Sequence, residues 1–583
     1  MKKIVSLIFV MFFALVLVGC GGGSGSTGGL KSIKISGKSQ VVVNETETYT
    51  ATFDPADYAD KSVKWSTSDE ASLSINDKGE ATGLKEAKSV YVYAESLKEP
   101  NIRGQKKVVV KNDEDVKGDY PDLQGYTIKI AQAEQALSDM DPFLDDYTQA
   151  DKLYKQKAWT EVEELFNCKI EVVAYPSSAP WGPLRWAYIN SQAALNTADY
   201  DFYTVPDSQI PGFVENGALI SVEDFYVLYG NDMMDPSFVT SGSYQGNLYS
   251  LTSGDNNIYS VMYYNIGMYE DLKAVDPTLK EPAQMFLDGE WYHDSFVDYV
   301  VQVQNALAAK YGAAGTANAD EQEYYAISGW SPYYWAGLAA NDGEALADTT
   351  TMKINISSAN KVSAAETVKE IYNSGCADPK ESVDGAVTSW NNGYAFFNTG
   401  DLWFVGDSSR WAPNAWGEDN TKYGYVPWPS AKKQSPDEFK IAMGGTAGWV
   451  MPIGRDKEYA LHGDDATAEN IYWAVALMLQ KSQEYYYGSD EYDRDLALQT
   501  IAAKYAHSKA SQDAYIKIQN LIEEGAGYFD PLCVPDNPIG SLYYGGESLR
   551  TAVNNFVKGE LDWDAAVINL IPVLEAALRK AYS

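Results

Sequence analysis

From Leu30 to Asn112 apolar and polar side chains alternate in short runs: Ser32-Ile33-Lys34-Ile35, Thr46 to Phe53, Val63-Lys64-Trp65, Val90 to Ala94 and Lys107 to Val110. Gly, Pro, Asn and Asp separate them. A period of two sends successive side chains to opposite faces of a strand, so turn residues at this spacing predict a small antiparallel sandwich. Asp113 to Pro121 is acidic and polar and reads as a linker. Beyond it the pattern changes. A strand at Tyr126 to Ala131 is followed by a helix over Gln149 to Phe166, a strand at Lys169 to Ala174, a helix near Leu184 to Leu195 and a strand at Tyr200 to Val205. Strand and helix in turn predict an α/β domain with a parallel sheet. Further helical periods cover Asp294 to Tyr311, Ser358 to Asn373, Ala466 to Gln480, Ser511 to Glu523, Leu549 to Lys558 and Asp562 to Ala581. Short strands are expected near Leu248 and over Val261 to Tyr264, Tyr394 to Phe397, Tyr423 to Val426 and Gly448 to Met451.

At the N-terminus two lysines precede an apolar run, Ile4 to Val18, which is short for a membrane span and fits a secretory signal. Its end, Leu17-Val18-Gly19-Cys20, resembles the lipobox of bacterial lipoproteins. That resemblance implies loss of residues 1–19, lipidation of Cys20 and anchorage to the outer face of the bacterial cell membrane; the alternative is an ordinary signal with a coincidental cysteine. Gly21 to Gly29 is nearly all Gly, Ser and Thr and behaves as a flexible tether, so residues 20–30 would link lipid to folded chain.

Composition narrows the chemistry. The 583 residues carry 81 acidic against 45 basic side chains, a net charge of −36, and the resulting field works against nucleic acid and anionic lipid headgroups. Besides Cys20 there are Cys168, Cys376 and Cys533, far apart and without metal-ligand spacing, so neither a disulfide framework nor a metal is expected. The three histidines, His293, His462 and His507, fall in no nucleophile or zinc motif, and no cofactor signature occurs. A phosphate loop is also missing, so any ATP-driven step belongs to another chain. The 15 Trp and 43 Tyr exceed what one core needs, and many lie beside Gly, Asn and Asp.

Two resemblances organise the rest. Asp54-Pro55-Ala56, Val63 to Asp69 and Gly79-Glu80-Ala81-Thr82-Gly83 resemble the group 2 bacterial Ig-like domain over residues 31–112. This implies a spacer, or alternatively a glycan adhesin, held by an apolar layer including Val63, Trp65, Val90 and Val92. From about residue 120 to 583 a series of phrases is similar to family 1 extracellular solute-binding proteins, the maltose-binding-protein-like receptors of sugar-type ABC importers. These are Tyr200-Asp201-Phe202-Tyr203 running to Gly217-Ala218-Leu219-Ile220, Tyr244 to Leu251 with Met262-Tyr263-Tyr264-Asn265, Gly289-Glu290-Trp291, Trp390 to Phe397, Tyr423 to Pro429 and Gly444 to Trp449. Thr252 stands where that family usually has proline. The resemblance implies a type II periplasmic-binding-protein-like fold over residues 113–583, two α/β lobes on a hinge that close on a carbohydrate. It also implies a monomer that hands an oligosaccharide to an ABC permease without altering it.

Flat rings suit that task, since a sugar is apolar on its C–H face and polar at its rim, and planar side chains lose little entropy when ordered. If the cleft follows the family, Trp403 in Gly400-Asp401-Leu402-Trp403 is the expected stacking residue. Asp207, after the strand ending at Val205, is an expected acidic contact, with a helix cap before Pro211 as the alternative. Asp255 in Gly254-Asp255-Asn256-Asn257 reaches hydroxyls or simply makes a turn. Tyr333 and Trp335 offer stacking or core packing; Arg410 offers a hydrogen-bonding fork or pairs with Asp407. Trp449 lines the cleft or fills a strand core, and Tyr544, beside Tyr543, is an aromatic contribution from near the last helices. Two rival readings remain: a cell-surface glycan adhesin or wall-binding protein, and a carboxylate-based glycoside-acting enzyme.

Overall fold

The alternating N-terminal stretch folds as a β-sandwich with strands Ser32–Ser36 (β1), Gln40–Val42 (β2), Thr46–Thr48 (β3), Thr50–Asp54 (β4), Val63–Thr67 (β5), Leu73–Ile75 (β6), Glu80–Gly83 (β7), Ala87–Ser96 (β8) and Arg103–Lys111 (β9). One sheet has the order β2-β9-β8-β5, a second β3-β7-β6, and β1 pairs with β4. The period of two is visible in β8, where Val90, Val92 and Ala94 are fully buried with Val108 and Val110 of β9 while Tyr91 and Tyr93 lie on the other face. Val63 and Trp65 are half-buried against the same core. The expected single run Thr46 to Phe53 is two strands in different sheets, divided at buried Tyr49. Gly79 makes that corner possible: at φ +80° it packs so closely that a Cβ would meet the Tyr49 carbonyl oxygen at 2.3 Å.

The computed structural model describes residues 30–111 (less 31, 39 and 55–57), 120–252 (less 181), 261–313, 322–379, 388–400, 422–443, 447–489, 492–532 and 549–582. Met1–Lys117 forms one compact unit and Gly118–Ser583 a second. The second unit is α/β and has two lobes, each with its own sheet and its own apolar core. Its strands are Tyr126–Gln132 (β10), Cys168–Ala174 (β11), Phe202–Pro206 (β12), Ser243–Tyr244 (β13), Asn247–Leu248 (β14), Ser250–Leu251 (β15), Val261–Asn265 (β16), Tyr325–Ile327 (β17), Ala347–Asp348 (β18), Lys353–Ile354 (β19), Ala395–Gly400 (β20), Tyr423–Pro427 (β21), Ile441–Met443 (β22), Ala447–Val450 (β23) and Gly527–Phe529 (β24).

Lobe I is built on the sheet β11-β10-β12-β23-β15 and lobe II on β17-β20-β16-β21. As the alternation of strand and helix predicts, β10, β11 and β12 are parallel. The sheets as wholes are mixed, because β15 and β23 lie where the chain leaves lobe I and returns to it, and β23 runs antiparallel to both β12 and β15. Helices Lys152–Leu165 and Ala468–Tyr487 pack together in lobe I. The helices His293–Tyr311, Ser331–Ala340, Ala359–Asn373, Lys509–Leu521 and Leu549–Val557 contribute to the core of lobe II.

Short helices such as Ile266–Lys273 and Pro282–Leu287 were not expected, and three further helical segments differ from expectation for an identifiable reason. Ser331–Ala340 is a helix although its sequence shows no polar face, because nearly every position is buried. Arg494–Tyr505 is helical without a resolved apolar period in its sequence. The single helix expected over Asp562 to Ala581 is broken into Trp563–Ala566, a 3-10 turn Ile568–Leu570 and Ile571–Tyr582. Pro572 explains the break: it has no N–H to donate, and its ring is tolerated only in a first helical turn. The last helix then reaches both lobes. Gln245 N–H donates to the Ala581 carbonyl at 3.2 Å, Lys580 pairs with Glu215, and Glu575 pairs with Lys353 at 3.6 Å. Tyr582 packs against the cores of both lobes.

Candidate functional site

Strand register shows which edges of the two sheets face each other. Pro206, at the carboxyl end of β12, stands opposite Ala447, the first residue of β23. Ala447 lies four residues from Met443, the last residue of β22 in lobe II, a span of at most about 14 Å. The carboxyl ends of β10, β11 and β12 therefore face lobe II. In lobe II, β16 begins at Val261 as the chain arrives from lobe I, and Val261 is paired with Gly400 of β20 and Pro427 of β21. Those partners are antiparallel to β16, so their carboxyl ends, and that of β17 parallel to β20, face lobe I. Both sheets thus present strand carboxyl ends to the space between the lobes, the edge at which open α/β sheets hold ligands.

The lobe I edge carries Tyr175, directly after β11, whose hydroxyl donates to the Thr204 carbonyl at 2.9 Å. Arg185 lies in the first turn of the helix Gly182–Ala194, its guanidinium carbon 4.0 Å from the Tyr175 ring centre. Its Nη2 donates to the Pro180 carbonyl. Asp207 opens the 3-10 turn Asp207–Gln209 after β12 and is 9% exposed. Asp207 and Asp530 both act electrostatically on Tyr582, which burial together with these carboxylates holds well above the ordinary tyrosine range. The end of the last helix therefore lies within electrostatic reach both of Asp207 after β12 and of Asp530 of lobe II.

The lobe II edge carries Ser328-Gly329-Trp330 after β17 and then the helix Ser331–Ala340. Trp330 and Tyr333 pack edge to face with ring centres 5.8 Å apart. Trp335 points elsewhere: it is 2% exposed, donates its indole N–H to the Lys361 carbonyl at 3.2 Å, and packs on Trp563. Positions two apart on a helix project about 200° apart, so Tyr333 and Trp335 cannot line one cleft. Trp335 takes the core-packing alternative. Trp330, which precedes the helix and packs on Tyr333, was not among the sequence candidates; the signal was its place directly before a Ser-Pro helix start.

Behind this edge two buried charges are fully engaged. Lys361 donates to Asp342 at 2.5 Å and to the carbonyls of Ala339 and Glu344 at 2.6 Å. Asp530 accepts from the backbone N–H groups of Leu346, Leu532 and Ala347 at 2.7, 3.0 and 3.3 Å. Burial nevertheless pushes the Asp530 carboxyl up to about 6. Trp449 is 8% exposed within β23, opposite Thr204, with its ring 6.5 Å from that of Phe202 in the lobe I core. It fills a strand core. Asp207 and Tyr333 remain at the facing edges. Trp403, Asp255, Arg410, Tyr544 and the lipidation residue Cys20 lie outside the described residues.

Among the described residues no group of three or more His, Cys, Asp or Glu could hold a metal ion, and no helix is long and apolar enough to cross a membrane. Cys168 and Cys376 are buried free thiols, and burial raises the Cys168 thiol to about 12, so neither is poised as a nucleophile. A hollow of about 620 Å³ between the helices Arg494–Tyr505 and Lys509–Leu521, lined by Asp495, Gln499, Lys509 and Asp513, does not lie at either facing strand edge.

No family model and no curated protein matches the chain. Solved structures do. The GacH receptor of Streptomyces glaucescens, solved unliganded and with acarbose, is 14% identical, with a TM-score of 0.45 over 78% of this chain and 99% of its own. UgpB from Mycobacterium tuberculosis, in complex with glycerophosphocholine, is 12% identical at a TM-score of 0.47, covering 79% and 100%. The sugar-binding protein MalE from Xanthomonas citri is 15% identical at 0.46, covering 78% and 98%.

Proposed function

We propose that the chain is a solute receptor that captures a carbohydrate, an oligosaccharide rather than a single sugar, between its two lobes and delivers it unchanged to an ABC permease. The observation that carries this reading is the register: each lobe turns its strand carboxyl ends, with Tyr175, Arg185 and Asp207 on one side and Trp330 and Tyr333 on the other, toward the same space. Rings beside carboxylate and guanidinium groups match the apolar faces and hydroxyl rim of a sugar. Trp403, Asp255, Arg410 and Tyr544, named from the sequence, complete the proposed contact set. Lipidation of Cys20 would hold the receptor on the outer face of the cell membrane, with residues 20–30 as tether and the Ig-like sandwich, residues 31–112, as spacer.

The test is thermal shift across a panel of saccharides, peptides, polyols and nucleosides. A ligand at a hundred times its Kd stabilises by about 2.7 kcal/mol, so a cognate saccharide should raise Tm by several degrees. Stabilisation by another class and by no saccharide would overturn the ligand assignment. Release of sugar fragments from an oligosaccharide would replace the receptor by an enzyme, and retention on purified cell walls through the sandwich alone would favour the adhesin.

A further inference from the structure

Arg185 is the group that the fold does not explain. It is 8% exposed, in a chain with 81 acidic residues, yet among the described residues no carboxylate pairs with it. Its Nη2 is used by the Pro180 carbonyl and one face by the Tyr175 ring, while its buried Nε has no hydrogen-bond partner. A buried guanidinium without a counter-charge is costly, and a buried donor left unmade adds to the cost. Elsewhere in the same unit a half-buried and a fully buried cation are each paired with a carboxylate. Arg455 meets Asp201 at 3.1 Å and Lys361 meets Asp342 at 2.5 Å.

The location gives the omission a meaning. Both groups that hold the guanidinium, Tyr175 and Pro180, belong to the loop at the carboxyl end of β11, on the edge that faces lobe II. Arg185 itself occupies the first turn of a 13-residue helix, where backbone N–H groups and the helix dipole also favour negative charge. In the turn after the neighbouring strand β12, Gln209 Oε1 is also buried without a hydrogen-bond partner.

We propose that the ligand held between the lobes is a saccharide carrying one oxyanion group, a uronate carboxylate or a sulfate or phosphate ester, and that Arg185 receives that group. This rests on the receptor reading above and adds the ligand's charge. The planar fork suits an oxyanion, and stacking on Tyr175 holds the guanidinium in place before the ligand arrives. The acidic field of the chain opposes polyanions, so one charged group per ligand fits better than many.

Titration calorimetry on the full chain tests this with matched pairs: a neutral oligosaccharide and its uronate-terminated, sulfated and phosphorylated forms. One charged form should bind at least tenfold tighter than its neutral partner. Arg185→Met should abolish that preference, so that charged and neutral forms bind alike, and Arg185→Lys should retain part of it. Should a variant fail to fold, the wild-type preference and its decline with added salt still decide. Equal binding of neutral and charged forms would overturn the inference and leave the receptor reading intact. Arg185-dependent binding of non-sugar oxyanions alone, such as a glycerophosphodiester, would overturn the carbohydrate assignment and keep the anion site; no binding of any panel member would overturn both.

Discussion

Tyr333 and Trp335 stand two positions apart in one phrase, yet they have opposite fates, and the difference is measurable. Trp335→Ala removes a buried indole and its hydrogen bond to Lys361, so a loss of about 3–5 kcal/mol is expected in denaturant unfolding. Tyr333→Ala should cost ligand affinity instead and leave the unfolding midpoint nearly unchanged. Asp530 supplies a pH test. Its carboxyl titrates near 6 in the folded chain against 3.8 ordinarily, because burial disfavours the charged form. A raised value means that its contribution to stability is complete below about pH 4 and is lost as pH rises through 6. The difference amounts to about 3 kcal/mol. Asp530→Asn cannot titrate, so its stability deficit relative to wild type should narrow as pH is raised from 4 to 7. A deficit that widens over this range would show that the three backbone donors outweigh burial.

At the scale of elements, the last helix is the part whose role depends on the whole. Its amphipathic pattern was legible from Asp562 onward, but Pro572 breaks it, and only the folded chain shows Ile571–Tyr582 touching lobe I through Glu215 and Gln245 and lobe II through Lys353 and Phe529. Tyr582→Ala removes a ring that packs on both cores. Calorimetry should then show the large unit unfolding in two transitions, one per lobe, where the wild type is expected to show one for that unit; persistence of one would mean that the chain crossings alone couple the lobes. The helices over His293–Tyr311 and Ala359–Asn373 were readable because one face is buried and the other wet. Ser331–Ala340 was not, since burial on all sides erases the period that sequence reading relies on.

For the whole molecule, a ligand that touches both lobes stabilises the arrangement in which both touch it, so scattering should show a smaller radius of gyration when the cognate saccharide is added. An unchanged radius with tight binding would confine the site to one lobe. The longer strands of the N-terminal sandwich were legible because a period of two with frequent turn residues is local information; the short strands Gln40–Val42, Leu73–Ile75 and Glu80–Gly83 were missed, and the run Thr46 to Phe53 was misread where the chain changes sheets at Tyr49. In the large unit, element types and most boundaries were likewise local.

What the amino-acid sequence determined by itself was the order of strands and helices, the α/β character of the large unit, the acidic balance and the supply of rings, all of which depend on neighbours within a few turns of chain. Only the tertiary structure decided which strand ends face each other, that Trp335 and Trp449 fill cores, and that Arg185 is buried with no carboxylate beside it among the described residues. The reason is physical: burial and ion pairing are set by residues far away in sequence, such as Lys361 for Trp335 and Phe202 for Trp449, and periodicity carries no record of them.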